Sequence, residues 1–437
     1  MTSSIYQHLA RPLWLTIAVA TLSIHLNVSA QSTVPPTSVD LATVLRLARE
    51  VSPRLAIERL NISGAEANRI TAGAYPNPTL SFGRSKTQSG QATMFTGKHQ
   101  DQMNLELPVM LSGQRSARID KAEREIEAAR ARVRAGTSTF SAEVASAYTA
   151  LQAAQETVAL LTKTRSELQR LRDIIAGRAD SGMASRFDVL RLDVELGTNQ
   201  SKLGEAQAEV SDCAGQLAAL LGIPQWQPVA TNPLAVINMT ATQLDHPQQR
   251  RTHSPILLSA QSEARVAASA VEVARRERWP VPSLNVGRAQ TADPFGAVGY
   301  LGVSVELPLF DTRRGPLAKA ESEARAAALK SELTESETAA QLLRYAQIIR
   351  TRQSALTRYE EDTAARLPTL QQMAEDAYRL GRGTVFDLLD ATRTRHELQQ
   401  NRIDLLAALI DAQLHWLALT GELERLHPST PITPTPP

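Results

Sequence analysis

The sequence predicts a mainly α-helical chain with a small β contribution, built from one large unit written twice. Three observations carry that reading. Landmarks recur in the same order about 200 residues apart: Ser52-Pro53-Arg54-Leu55 with Ser254-Pro255-Ile256-Leu257, Pro76-Asn77-Pro78-Thr79-Leu80 with Pro280-Val281-Pro282-Ser283-Leu284, Leu105-Glu106-Leu107-Pro108 with Val305-Glu306-Leu307-Pro308, and Phe187-Asp188-Val189-Leu190 with Phe386-Asp387-Leu388-Leu389. Long stretches poor in proline and glycine are rich in alanine, leucine, glutamate and arginine, which favour helix. Short segments that alternate apolar and polar residues follow the paired prolines in each copy, and period two is the strand signal. Short tandem repeats build solenoids, whereas a period this long means a duplicated large unit.

Each unit opens with a helix. Leu41, Val44, Leu45 and Ala48 keep helical spacing in the first copy, and the second runs from about Ala260 to Arg278. Pro76 and Pro78, or Pro280 and Pro282, end it, because proline lacks the donor and restricts its predecessor. A β-hairpin follows. Leu80 and Phe82 alternate with polar neighbours, as do Leu105, Leu107 and Val109, then Leu284 and Val286, then Leu301, Val303, Val305 and Leu307. The hairpin loops are Lys86 to Gln100 and Ala289 to Ala297, so the chain supplies four strands.

A long helical hairpin completes the unit. The first helix runs from about Gln114 to Gly177, some 90 Å at the usual rise. Its partner spans Ser185 to Leu221 and stops at Gly222-Ile223-Pro224. The second copy repeats this from about Pro316 to Leu380, with a kink expected at Pro368, and from Thr384 to Thr420. Helices this long and this polar pair lengthwise as coiled coils.

The ends read differently. Arg11, the apolar run Leu13 to Val28 and the small-residue site Val28-Ser29-Ala30 describe an export signal over residues 1–30, too short for a membrane anchor. The division is then a first repeat over 31–223, an irregular segment over 224–247, a second repeat over 248–421, and a proline-rich tail over 422–437 expected to be disordered.

Composition excludes several classes. The formal net charge of +2 gives no field suited to nucleic acid. Cys213 is the only cysteine, which leaves no disulfide and no thiolate cluster, and the histidines lack metal-ligand spacing. Hydrolase, phosphate-loop and zinc-protease signatures are missing, so the chain is not expected to be an enzyme or to hold a cofactor.

Four amphipathic strands in an exported protein need a cover for their apolar faces. In a bilayer a sheet must close, since each unsatisfied backbone group costs several kcal/mol. Known outer-membrane barrels start at about eight strands, so one chain needs sister chains.

These features carry a resemblance. The duplication, the Pro-Asn-Pro-Thr-Leu strand start, the Glu-Leu-Pro strand end and the run Tyr378-Arg379-Leu380-Gly381-Arg382-Gly383-Thr384-Val385-Phe386-Asp387-Leu388-Leu389-Asp390-Ala391 resemble the TolC-like outer membrane efflux family across the mature length. Met110-Leu111-Ser112-Gly113-Gln114-Arg115 is similar to the heavy-metal (cobalt–zinc–cadmium) branch, with serine and glutamine replacing that branch's glycine and lysine. The resemblance implies a homotrimer with a twelve-stranded barrel in outer-membrane lipid and a twelve-helix tunnel across the periplasm. It also implies a periplasmic adaptor and an inner-membrane pump as partners.

Within that resemblance Asp387 and Asp390 match the acidic residues of the periplasmic gate, and one turn of helix puts them on one face. Helix-start chemistry explains Asp387 equally well, since Ser185-x-x-Asp188 repeats Thr384-x-x-Asp387. Asp390 has no such explanation, and its counterpart is Arg191. Gly182, Met183 and Ser185, with Gly381, Gly383 and Thr384, mark the two tips where the family meets its adaptor, although glycine there also permits a tight turn. Two other readings share parts of the pattern: a periplasmic coiled-coil adaptor, which leaves the hairpins without purpose, and a type I protein-secretion duct.

Overall fold

Two helix starts with the same chemistry fix the frame of each repeat. A computed structural model describes residues 35–86, 99–239, 244–290 and 296–423, so the export signal and the proline-rich tail beyond Leu423 lie outside the described residues. From Thr37 onward, β1 (Ser38–Val39) and α1 (Leu41–Val51) lead into α2 (Pro53–Gly73), whose counterpart is α5 (Pro255–Arg276). Pro53 and Pro255 both occupy the first helical position, where a missing N–H costs nothing. That start places α5 five residues earlier than its alanine-rich pattern suggests.

Four strands follow the paired prolines: β2 (Thr79–Lys86), β3 (His99–Pro108), β5 (Ser283–Gln290) and β6 (Ala297–Ser304). They form one antiparallel sheet in the order β2-β3-β5-β6, so the two hairpins join at β3 and β5. β6 ends at Ser304, short of the alternation read through Leu307. The register sorts side chains by face. Leu80, Leu105, Val286 and Leu301 stand in one cross-strand row, and Leu107, Leu284 and Val303 in another. This face is apolar and mostly exposed. On the other face the Gln102 amide donates to Tyr300 Oη at 3.0 Å and Asn285 donates to Ser304 Oγ at 2.8 Å. Gly287 lies under the Tyr300 ring, which a Cβ there would strike at 2.2 Å.

The long helices are α3 (Gln114–Asp180), α4 (Arg186–Leu221), α6 (Arg314–Arg358), α7 (Leu367–Arg379) and α8 (Val385–Thr420). α3 pairs with α4, and α8 packs on α6, α7 and α3. α8 is apolar enough to cross a membrane by composition, but most of its apolar stretch is buried against these neighbours. The second hairpin breaks ahead of Pro368, through a π turn at Tyr359–Thr363 and a 3-10 turn at Ala364–Arg366. A proline ring crowds the carbonyl four residues back and removes one helical donor, so the distortion lies upstream. The main core joins α1, α3, α4, α6 and α8 around Phe140, Tyr148, Leu217, Ile349 and Trp416.

Each repeat closes on its own first helix. α4 ends at Gly222 with φ 76°, where an added Cβ would meet Pro53 at 3.0 Å. α8 ends at Gly421 with φ 70°, and a Cβ there would meet Pro255 at 3.2 Å. The segment between repeats contributes β4 (Val229–Ala230), which pairs in parallel with β1, and the short helical turn Pro247–Arg250.

Candidate gate and docking tips

Both hairpin turns are built by the same backbone device. In the first, Met183 N–H donates to Arg178 O at 2.8 Å and Gly182 N–H to Ala179 O at 3.0 Å. In the second, Arg382 N–H donates to Ala377 O at 2.9 Å and Gly381 N–H to Tyr378 O at 3.1 Å. This six-to-one pattern terminates a helix through a left-handed residue, and Gly182 and Gly381 supply it with φ of 76° and 72°. A Cβ at either would meet nothing within 4 Å. Gly383 is different: a Cβ there would meet Ala377 at 3.1 Å, so close approach rather than backbone hand requires glycine.

The outgoing helices start with capping boxes. Ser185 and Asp188 form one at α4, and Thr384 and Asp387 the other at α8. Asp387 Oδ2 accepts from both Thr384 N–H and Thr384 Oγ1–H at 2.8 Å. The Thr384 backbone N–H, and then its hydroxyl, hold the Asp387 carboxyl below the usual carboxylate range. Asp390 is exposed one turn later, and its side chain makes no hydrogen bond or ion pair among the described residues. The two acids are therefore unequal. Asp387 is tied into the helix start, whereas the Asp390 carboxylate is exposed and acts on the charge of Arg393 one turn on.

The tips meet each other. Leu168, Ile175, Leu192, Val385 and Leu389 form a small buried cluster shared by both hairpins, with Ala184, Val189 and Tyr378 at its edge. Arg178 lies over the Tyr378 ring at 5.0 Å and Arg191 over the Phe386 ring at 4.6 Å. Below the cluster, Arg393 of α8 donates to Glu195 of α4, with its Nε at 2.9 Å from Oε1. That bond, set against burial, leaves the Glu195 carboxyl below its ordinary value. Arg395 pairs with Glu167 of α3, and burial lowers the Arg395 guanidinium's pKa. None of these ties has a signal in the sequence, although Phe187 and Phe386 occupy the same place in both repeats. Met183, 72% exposed, and Phe187 leave an apolar surface at the first tip.

The junction at the other end of α3 explains its motif. Gly113 takes φ 73°, the Gln114 side chain accepts from Ser112 N–H and donates to Trp279 O, and Arg115 donates to Gly73 O at 2.7 Å. These residues tie strand exit to helix start. In the second repeat Arg313 adopts the same left-handed conformation with φ 51°. Among the described residues no group of three or more His, Cys, Asp or Glu side chains could hold a metal. Cys213 is buried, and burial pushes its thiol up to about 11, which suits a packing residue.

The chain thus joins a sheet with one exposed apolar face to long paired helices that meet at two capped tips. Residues 44–223 match the family described as outer membrane efflux protein. The cobalt-zinc-cadmium resistance protein CzcC of Cupriavidus metallidurans is 27% identical over 376 residues, covering 84% of this chain and 86% of that protein. The outer membrane protein VceC of Vibrio cholerae shares the fold with a TM-score of 0.72 at 19% identity, over 87% of this chain and 96% of that one. CusC shares it with a TM-score of 0.72 at 18% identity, over 87% and 92%. The first repeat thus matches that family, and the described chain shares the fold of these outer-membrane channels.

Proposed function

We propose that this chain is the outer-membrane exit duct of a tripartite efflux system. Three copies close a twelve-stranded barrel in the lipid and continue as a helical tunnel through the periplasm to an adaptor and an inner-membrane pump. The observation that carries this is the sheet: one face lined with exposed Leu, Val and Phe side chains, the other with hydrogen-bonded Gln, Asn, Tyr and Ser, and outer strands β2 and β6 each paired on one side only among the described residues. A water-soluble adaptor has no use for such a face.

Asp390 supplies the gate's carboxylate ring, with Asp387 adding charge from within its cap. Gly182, Met183 and Ser185, with Gly381, Gly383 and Thr384, form the adaptor-docking tips. The cargo is a heavy-metal cation or a small toxic compound. Similarity to the cobalt-zinc-cadmium resistance protein supports the metal, which passes through as cargo without a resident site. The repeats 31–223 and 248–421, with 224–247 between them, are the functional halves of each wall.

Deleting the gene in its host should lower tolerance to zinc, cobalt and cadmium, and the wild-type gene should restore it. Gly182→Trp and Gly381→Trp should fail to restore it while trimer yield and outer-membrane delivery stay normal. Unchanged tolerance to metals and to a panel of small toxic compounds after deletion would overturn the efflux reading.

A further inference from the structure

The apolar face of the sheet changes character along its length. Nearest the helices it carries rows of Leu and Val, and the next row holds Phe82 and Met103 with Arg288 beside Met103. From that row to the far end the same face carries Arg288, Arg84 and Lys86, against one carboxylate, Asp101. The opposite face over those rows presents Gly83, Ser85, Gln100, Gln102 and Ala289, without charge. Among the described residues, charge at this end therefore lies on the lipid side and not on the lumen side. Arg84 grips Asp101 through Nε at 2.6 Å and Nη2 at 2.9 Å, which leaves its other guanidinium nitrogen free to donate. The Lys86 and Arg288 side chains are exposed and make no hydrogen bond or ion pair among the described residues.

A basic side chain on the lipid face of a barrel costs about 2–4 kcal/mol at the bilayer midplane and only about 0–1 near the interface. These rows must then lie at headgroup level, with the aliphatic stems along the apolar band and the charges in the polar layer. Every strand joins its helix at the opposite end, so this layer is the outer leaflet. Uncharged polar residues would serve a neutral interface equally well. Guanidinium and ammonium groups instead suit phosphate, by forked and by point-charge donation.

We propose that Arg84, Lys86 and Arg288 form a belt that binds the phosphate groups of a phosphorylated lipid in the outer leaflet. The proposal rests on the outer-membrane reading above. Its three elements come from β2 and β5, one from each repeat's hairpin, so a closed barrel repeats the belt around its whole rim.

The test uses the full protein purified in detergent, with diphosphorylated lipid A, phosphatidylethanolamine and inorganic phosphate as separate probes. Native mass spectrometry counts retained lipid, and the thermal midpoint reports stabilisation. Lipid A should be retained and should raise the midpoint, while phosphatidylethanolamine and inorganic phosphate should do neither. Lys86→Gln with Arg288→Gln should weaken lipid A retention on the order of tenfold, about 1.4 kcal/mol, with the unliganded midpoint unchanged. Lys86→Arg with Arg288→Lys should keep it. Equal retention by wild type and the glutamine variant overturns the belt, as does an equal shift with inorganic phosphate, which would mean a free-anion site. Fractionation separates the two readings: protein in the outer membrane that retains no lipid A defeats only the belt, whereas protein absent from that membrane defeats the duct.

Discussion

Replacing Gly222 with alanine tests how each repeat closes. Gly222 holds φ 76°, and an alanine Cβ would stand 3.0 Å from Pro53 Cδ and 3.2 Å from Cγ. The left-handed backbone costs an L-residue roughly 1–2 kcal/mol. Carbon pairs prefer about 3.5–4.0 Å, and Pro53 cannot rotate away because its ring is fixed at the first position of α2. That overpacking adds about 1–3 kcal/mol. Gly182→Ala is the control, since Gly182 has the same φ of 76° with nothing within 4 Å, and it should show only the backbone cost. Thermal midpoints of the purified assembly at one scan rate provide the comparison, because unfolding of a large assembly is a rate process. Gly222→Ala should fall well below Gly182→Ala, and Pro53→Ala added to Gly222→Ala should recover part of the difference. Equal losses at Gly222 and Gly182 would show that the contact with Pro53 does not hold the repeat closed.

Three further outcomes follow from the same geometry. Asp390→Ala should raise single-channel conductance and weaken block by multivalent cations without changing stability, whereas Asp387→Ala should also lower stability by removing the α8 cap; identical behaviour of the two variants in planar bilayers would contradict their unequal roles. Gly113→Ala should cost about 1–2 kcal/mol, while Arg313→Gly should not destabilise, because it relieves the same strain in the second repeat, as thermal melts of both will show. The Glu195 carboxyl is held low by Arg393, so its stabilisation is full above its ordinary value near 4.3 and is lost as pH falls through the folded value. Glu195→Gln should cost on the order of 1 kcal/mol at neutral pH after solvent screening and flatten that acid-side loss, measured as midpoint against pH.

Much of the fold was legible because its signals are local. Proline pairs end α2 and α5 wherever they fall, glycine ends α4 and α8, and alternation marks the strands. Alanine spacing alone puts the start of α5 too late, because the Ser254-Pro255 start carries no alanine signal, although Ser52-Pro53 shows the same chemistry. The break near Pro368 was foreseen, but its position depends on how the helix spreads the distortion upstream. Arg313 in a left-handed conformation was not legible, since only its alignment with Gly113 hints at it. At the site, the capping boxes were readable three residues at a time. The Glu195–Arg393 and Glu167–Arg395 ties were not, because lateral packing of helices far apart in sequence decides them.

Four strands of one chain cannot close a barrel. The most direct measurement is the native mass of the protein extracted gently from the outer-membrane fraction, after crosslinking in intact membranes. Three chains and no more is the result the sheet predicts, because four strands per chain then make a closed barrel with no free edge. A monodisperse single chain recovered from the soluble periplasm would contradict it.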